Sequence, residues 1–294
     1  MIIVDFNGVV IANLMIHLSQ TKSNVADEPL IRHMVLNSIR SVRKKFYPDY
    51  GEIIIACDDK HYWRKEVFPY YKAHRKIDRK ESPYDWNQIF GVLDNIKEEL
   101  RTFFPYKVIQ VKRAEADDII GVICEEKASE IELPLPRSSE PEKILIVSSD
   151  KDFIQLQKYE GIDQWSPREK KFIRHPDPAK YLREHIIKGD RGDGVPNILS
   201  SDDTFVTGAR SRPIRSKALE GWLEEEDPEE FCDEKMLRNW KRNQEMVDLS
   251  LVPIWLRKET LNQLETEPEG SRKFLLDYFI KNKLRNLLSS IGDF

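Results

Sequence analysis

This 294-residue sequence predicts an α/β fold whose mostly parallel central sheet, flanked by helices, continues into a helical C-terminal region. Short β-branched runs alternate with amphipathic helical patterns through the first 166 residues, the arrangement of βαβ units. No convincing strand follows Phe172-Ile173, where short helices separated by Gly, Pro and charge take over. Acidic residues stand just past the ends of the apolar runs, where parallel sheets gather their ligands.

The elements follow in order. Met1-Ile2-Ile3-Val4 reads as a first buried strand. Leu30, Ile31, Met34, Val35, Ile39 and Val42 recur at helical spacing and predict a helix over 29–46. Strands are expected at 52–57, 107–111 and 143–148, with a helix over 86–104 between the first two. A further helix over 117–131 opens on acids, which suit the positive end of a helix dipole. The Pro- and Ser-rich stretch 133–141 reads as a loop. Helices are expected at 178–188, 215–223, 229–246 and 270–290.

Charged residues make up 33% of the chain and mean hydropathy is -0.57, which predicts a soluble protein without a membrane span. The chain enters a strand at once and shows no signal-peptide pattern. Three widely spaced cysteines, Cys57, Cys124 and Cys232, suggest reduced thiols and the cytoplasm. The net charge of -4 is unevenly spread. Residues 60–80 hold eight Lys or Arg against Glu66 and Asp78, a local net of +6. Residues 204–217 hold four cations and no acid, whereas 220–230 holds seven carboxylates. A phosphate-binding protein needs such basic patches, not a basic total.

Asp5 closes the first strand, Asp58 the second, and Glu115-Ala116-Asp117-Asp118 follows the third. Asp150 and Asp152 follow the fourth, and Asp190 and Asp193 lie in a Gly-rich turn. Singly, each has an ordinary role: an Asx turn at Asp5, dipole partners at 115–118, a helix N-cap at Asp150. Together they predict a carboxylate cluster that requires cations to offset repulsion. All-oxygen ligation points to Mg²⁺ or Mn²⁺, and the expected cofactor is two Mg²⁺ with Mn²⁺ as substitute. A di-metal centre suits phosphodiester hydrolysis, so the residues read as a metal-dependent nuclease. The segment from Tyr62 to Arg75 interleaves aromatics with cations, as nucleic-acid surfaces do, although such aromatics also pack into cores. The glycines of 189–194 suggest a close backbone approach to phosphates.

Taken with Tyr71-Lys72-Ala73-His74-Arg75 and Gly189-Asp190-Arg191-Gly192-Asp193, the ordered acids resemble the 5′-nuclease (flap endonuclease) family nearly end to end. The resemblance implies a PIN-like α/β nuclease domain over 1–166 with a helical arch at about 60–82. It further implies a duplex-binding helical region over 167–294 that completes the metal site with Asp193. It implies 5′→3′ exonuclease and flap endonuclease activity on RNA–DNA and DNA–DNA duplexes, including the ribonuclease H activity that removes RNA primers. By position, Asp5, Asp58, Glu115, Asp117 and Asp150 match ligands of one metal, and Asp152 and Asp193 match groups around a second. Asp118 and Asp190 match supporting acids. Lys72 and Arg75, with Asp150, match the catalytic set, and Arg64, Tyr71, Lys72 and Arg75 match nucleic-acid contacts. The implied partners are branched, flap or nicked duplexes and a single-stranded DNA-binding protein, and the implied state is a monomer.

The pattern departs after Asp193. Relatives continue into a Gly-rich hairpin ending Lys-Thr-Ala, but here Ser200-Ser201-Asp202-Asp203 intervenes. Gly208 and the cations Arg210, Arg212, Arg215 and Lys217 are left to grip duplex DNA, without a clear potassium site. Two rival readings stand beside the nuclease. A phosphatase needs a second Asp two residues after its nucleophile, where this chain has Asn7. A non-catalytic replication scaffold would have lost several acids, yet every expected position is filled.

Overall fold

In a computed structural model, which describes residues 1–22, 27–132 and 142–294, the expected sheet is present. The chain runs β1 (Ile2–Asp5), α1 (Phe6–Thr21), α2 (Glu28–Tyr50), β2 (Ile53–Ala56), α3 (Arg64–Val67), α4 (Arg75–Glu81), α5 (Trp86–Phe103), β3 (Lys107–Ile109), α6 (Ala116–Glu132) and β4 (Ile144–Val147). A 3₁₀ turn at Asp152–Lys158 leads into β5 (Ile162–Ser166) and β6 (Lys171–Ile173). Then come α7 (Pro178–Lys188), α8 (Ser216–Glu224), α9 (Glu234–Val247), α10 (Ile254–Glu265), α11 (Leu275–Lys281) and α12 (Arg285–Leu288).

The strands order as β3-β2-β1-β4-β5-β6, parallel except for the antiparallel β6. The chain steps one way from β1 through β2 and β3, then crosses to β4 on the other side. The switch point therefore lies between β1 and β4, where such sheets open a crevice. Register pairs Asp5 with Ala56 and Val4 with Val147, so Asp5, Asp58 and Asp150 emerge at one edge. The uninterrupted Ile and Val runs are explained by burial on both faces. One face packs on α1, α2, α5 and the C-terminal Leu275, Phe279 and Phe294. The other packs on α6 and on Leu249, Val252 and Leu256.

Several expectations change. The predicted helix over 86–104 is α5, and 117–131 falls within α6. The loop expected at 133–141 lies outside the described residues. No turn follows Asp5; its carboxylate instead caps α1, accepting from Gly8 N at 3.0 Å. Strand β5 and helix α10 were not anticipated, and β6 extends the sheet past residue 166. The helix expected over 270–290 breaks into α11 and α12 because Lys283 adopts a left-handed conformation, φ 56°. The helix expected over 229–246 begins later, at Glu234, where Asp233 caps it. No helix among the described residues is long and apolar enough to cross a membrane.

Candidate metal and nucleic-acid site

The carboxylates converge on two adjoining cavities. A cleft of about 740 Å³ is lined by Asp5, Asp58, Asp117 and Asp150 on its acidic side. Lys60, Lys72, Arg75, Arg79 and Lys97 face it with cations, and Tyr62 and Phe90 with aromatic rings. Asp150 also borders a second cavity of about 540 Å³, which it shares with Asp152, His185, Lys188 and Asp190.

Each acid is held by a local feature. Asp5 Oδ2 accepts from Ser148 Oγ at 2.8 Å, joining the ends of β1 and β4. Gly8 makes room for it: a β-carbon there would lie 2.1 Å from Asp5 Oδ2. Asp58 accepts from Ala116 N and Asn7 Nδ2, both at 2.7 Å, which fastens β2 to the start of α6. Asp150 Oδ1 accepts from Asp152 N at 3.0 Å in a local Asx turn, and the helix N-cap expected at Asp150 falls instead on Lys151, which makes no side-chain cap bond. Asp190 Oδ1 accepts from Asp193 N at 2.8 Å inside the turn. Gly189 there has φ 66°, and a β-carbon would lie 2.3 Å from Val195 O. The glycine thus closes the turn on itself, and that packing accounts for it without a phosphate.

Electrostatics divides the acids into two groups. Asp5 is pushed up to about 7 by burial and by the neighbouring charges of Asp58 and Asp150. Burial also raises Asp58, while exclusion of solvent and the nearby Asp150 raise Asp117 and Asp152 well above the usual carboxylate range. Glu115 behaves oppositely: burial opposes its charge, but Lys72 and Arg64 hold it below that range. Lys72 Nζ lies 2.5 Å from Glu115 Oε1 and 3.3 Å from Asp193 Oδ2. Arg75 donates to Asp193 Oδ1 at 2.7 Å, and the Tyr71 hydroxyl bridges Glu115 at 3.0 Å and Asp193 at 2.7 Å. The Tyr71–Arg75 segment therefore docks directly on the acids from α6 and the Asp190 turn.

Two residues sit differently from the expectation of nucleic-acid contact. Arg64 is only 1% exposed; it pairs with Glu115 at 3.0 Å and Asp118 at 2.7 Å and donates to Met246 O at 2.8 Å. Tyr71 is 2% exposed, so its ring packs in the interior beside Phe68 and Val195. Asp118 is fully buried, accepting from Trp63 Nε1 and Glu115 N, so it braces the α6 start from behind. Arg210, Arg212, Arg215 and Lys217 are exposed, and no side-chain ion pair involves them among the described residues. Arg210 shares a cavity of about 680 Å³ with Lys188, Arg191 and Phe205, beside the Asp190 turn.

The donor set fits divalent cations. Asp5, Asp58, Asp117 and Asp150 have no Lys or Arg within ion-pair distance among the described residues, although Lys72 stands near enough to temper Asp58 and Asp117. Unpaired acids that crowd one crevice call for an external positive charge. Sequence reasoning missed the roles of Asn7, Ser148 and His185. Only the His185 position, five residues before Asp190 at the end of a helix, carried a local signal.

Comparison with known proteins places the chain among nucleases. A family model described as the 5'-3' exonuclease N-terminal resolvase-like domain matches residues 6–184, more than half of the chain. The chain belongs to the 5'-3' exonuclease family. It is accordingly a nuclease, and a second model, the T4 RNase H C-terminal domain, matches residues 180–294. Ribonuclease H of Enterobacteria phage T4 is 29% identical over 302 residues, covering 99% of this chain and 95% of that protein. An exonuclease of Escherichia phage T7 is 28% identical, covering 69% of this chain and 66% of its own length. The bacteriophage T5 flap endonuclease, solved as a pseudo-enzyme–product complex with DNA and metal ions, shares the fold. That likeness has a TM-score of 0.60 at 16% identity and covers 90% of this chain and 97% of the other.

Proposed function

We propose that this nuclease is a metal-dependent 5′→3′ exonuclease and flap endonuclease acting at 5′ ends of RNA–DNA and DNA–DNA duplexes, removing RNA primers during replication. The observation that carries this reading is the convergence of unpaired acids from four strand ends with a cationic segment that docks on two further acids. Asp5, Asp58, Glu115, Asp117 and Asp150 would hold one Mg²⁺, with Asp152, Asp190 and Asp193 around a second; Mn²⁺ would substitute. When bound, the pair supplies Lewis acidity that activates an attacking water and offsets charge on the leaving oxygen.

The chain's own groups do the rest. Ser148 and Gly8 fix Asp5, and Ala116 N and Asn7 fix Asp58, so the acids stay put as charge changes. Lys72 and Arg75 stand where acids meet cleft and stabilise negative charge on the scissile phosphate. Tyr62, which lines the cleft, would offer its ring to an unpaired base. Arg210, Arg212, Arg215 and Lys217 hold duplex phosphates outside the cleft. These roles divide the chain into a nuclease domain over 1–166 and a duplex-gripping region over 167–294, with β6 of the second part pairing back onto β5 of the first. A monomer suffices, with a single-stranded DNA-binding protein as its protein partner.

The test uses 5′-labelled primer–template and 5′-flap duplexes, with Mg²⁺ or EDTA, alongside Asp150→Asn. Mg²⁺-dependent release of short 5′ products that the variant loses is expected. Structure-specific binding without turnover in Mg²⁺ or Mn²⁺ would refute the assignment and leave a DNA-binding scaffold.

A further inference from the structure

Asp152 and Asp190 come from separate elements, the 3₁₀ turn after β4 and the turn after α7, and one side chain connects them. His185 Nδ1 lies 3.3 Å from Asp152 Oδ1, and its Nε2 lies 3.1 Å from Asp190 Oδ2. Tyr181, one turn earlier on α7, packs its ring against the imidazole at 6.0 Å and 74°. One ligand atom from each of Asp152, His185 and Asp190 lies within 4.8 Å of the others, compact enough to converge on a single ion. The group opens on the cavity of about 540 Å³. Its surroundings differ from those of Glu115 and Asp193, which Lys72 and Arg75 compensate. Among the described residues no Lys or Arg pairs with Asp152, and His185 is its carboxylate's only side-chain partner.

We propose that His185 is a direct nitrogen ligand of a divalent cation held with Asp152 and Asp190. Oxygen-only sites suit Mg²⁺, whereas an imidazole alongside carboxylates favours Mn²⁺, Zn²⁺ and similar transition ions. One of the two cation positions is therefore a mixed nitrogen–oxygen site that holds such ions more tightly than the Mg²⁺ its carboxylates also accept. This inference rests on the metal-dependent reading above and adds the identity of one ligand and the class of ion.

The full chain is titrated with Mn²⁺, bound ion is counted by electron paramagnetic resonance, and pulsed measurements look for nitrogen modulation from a coordinated imidazole. Wild-type protein is expected to show two bound Mn²⁺ and a nitrogen modulation. In His185→Gln and His185→Asn the modulation disappears and one class of Mn²⁺ weakens by about 100-fold or more, beyond the roughly 10–100-fold that loss of an outer-shell partner costs. The other class stays unchanged, and so does the circular dichroism. Asp5→Asn, at the other position, should weaken the opposite class and keep the nitrogen signal. Two Mn²⁺ bound to wild type without modulation would overturn the inference and leave His185 a hydrogen-bonding partner, with the nuclease reading intact. Modulation that persists in both His185 variants would overturn it as well. If wild-type protein binds no Mn²⁺, both this inference and the metal-dependent reading fall.

Discussion

Arg64 offers the sharpest test of how this site is built. Its side chain is 2% exposed and faces Glu115 and Asp118, which are 1% and 0% exposed. Arg64→Met preserves most of the volume but strands the buried Asp118, leaves Glu115 with Lys72 as its one cation, and removes the bond to Met246 O. Breaking a buried ion pair from one side costs about 3–5 kcal/mol, because the remaining charge stays desolvated. At about 2–4 °C per kcal/mol for a chain of this size, the melting temperature should fall by roughly 6–20 °C. Urea unfolding monitored by circular dichroism gives the free energy directly. Adding Asp118→Asn to Arg64→Met removes one stranded charge and should recover part of the loss. An unfolding free energy within about 1 kcal/mol of wild type, with weakened and less salt-dependent DNA binding, would refute the argument. That outcome would restore Arg64 to the phosphate-contacting role its sequence neighbourhood suggested.

Lys72→Ala should slow single-turnover cleavage by about 10²–10³-fold while changing duplex affinity in EDTA only slightly, since the exposed cations beyond the cleft remain. Equal losses in both measurements would contradict that separation. Gly8→Ala should destabilise the protein even though alanine is the better helix former, because its β-carbon would lie 2.1 Å from Asp5 Oδ2; a raised melting temperature would count against it. Asp5, Asp117 and Asp152 have folded-state values raised above their unfolded ones, so the folded chain binds more protons between about pH 4 and 7. Stability in EDTA should therefore fall as pH rises through that window, and Mg²⁺ should flatten the slope; a urea midpoint that rises with pH would reverse the sign. Replacing Arg210 and Arg215 by Gln should lower the salt slope of duplex binding by roughly one per lost phosphate contact, with cleavage of bound substrate unchanged. An unaltered slope would place the duplex elsewhere.

The sheet and the acids were legible because both depend on neighbours in sequence. Ile, Val and Leu runs of four residues declare strands buried on both faces, and an acid at the end of each needs no tertiary information to be placed at the crevice. What was missed depends on distant partners. Ile162-Asp163-Gln164-Trp165-Ser166 looks too polar for an inner strand, yet Gln164 is fully buried and spends its amide on Ser148 O and Asp150 O. Helix α1 was hidden because Asp5-Phe6-Asn7-Gly8 reads locally as a turn. Its glycine serves the Asp5 carboxylate instead. The aromatic and cationic alternation from Tyr62 to Arg75 was correctly tied to the acids. Which of its members turn inward was not readable, since Arg64 and Tyr71 find their partners 44 to 182 residues away.

The positions of the cations explain why the acids do not all behave alike. Arg64 answers Asp118 and one side of Glu115 from within the core, and Lys72 and Arg75 answer Glu115 and Asp193 at the cleft wall. His185 spans Asp152 and Asp190. That accounting leaves Asp5, Asp58, Asp117 and Asp150 without an ion-pair partner among the described residues. These four surround the cleft that the cationic segment overlooks. A fold stabilised only for its own sake would gain by removing such charges, since replacing unpaired buried acids relieves a desolvation cost. Their retention at one sheet edge, each fixed by a backbone amide, hydroxyl or side-chain amide where such a bond is seen, fits a surface shaped for cations that arrive from outside. On that logic Asp5→Asn or Asp117→Asn should raise stability in EDTA while abolishing Mg²⁺-dependent cleavage, the opposite of Arg64→Met, which lowers stability first.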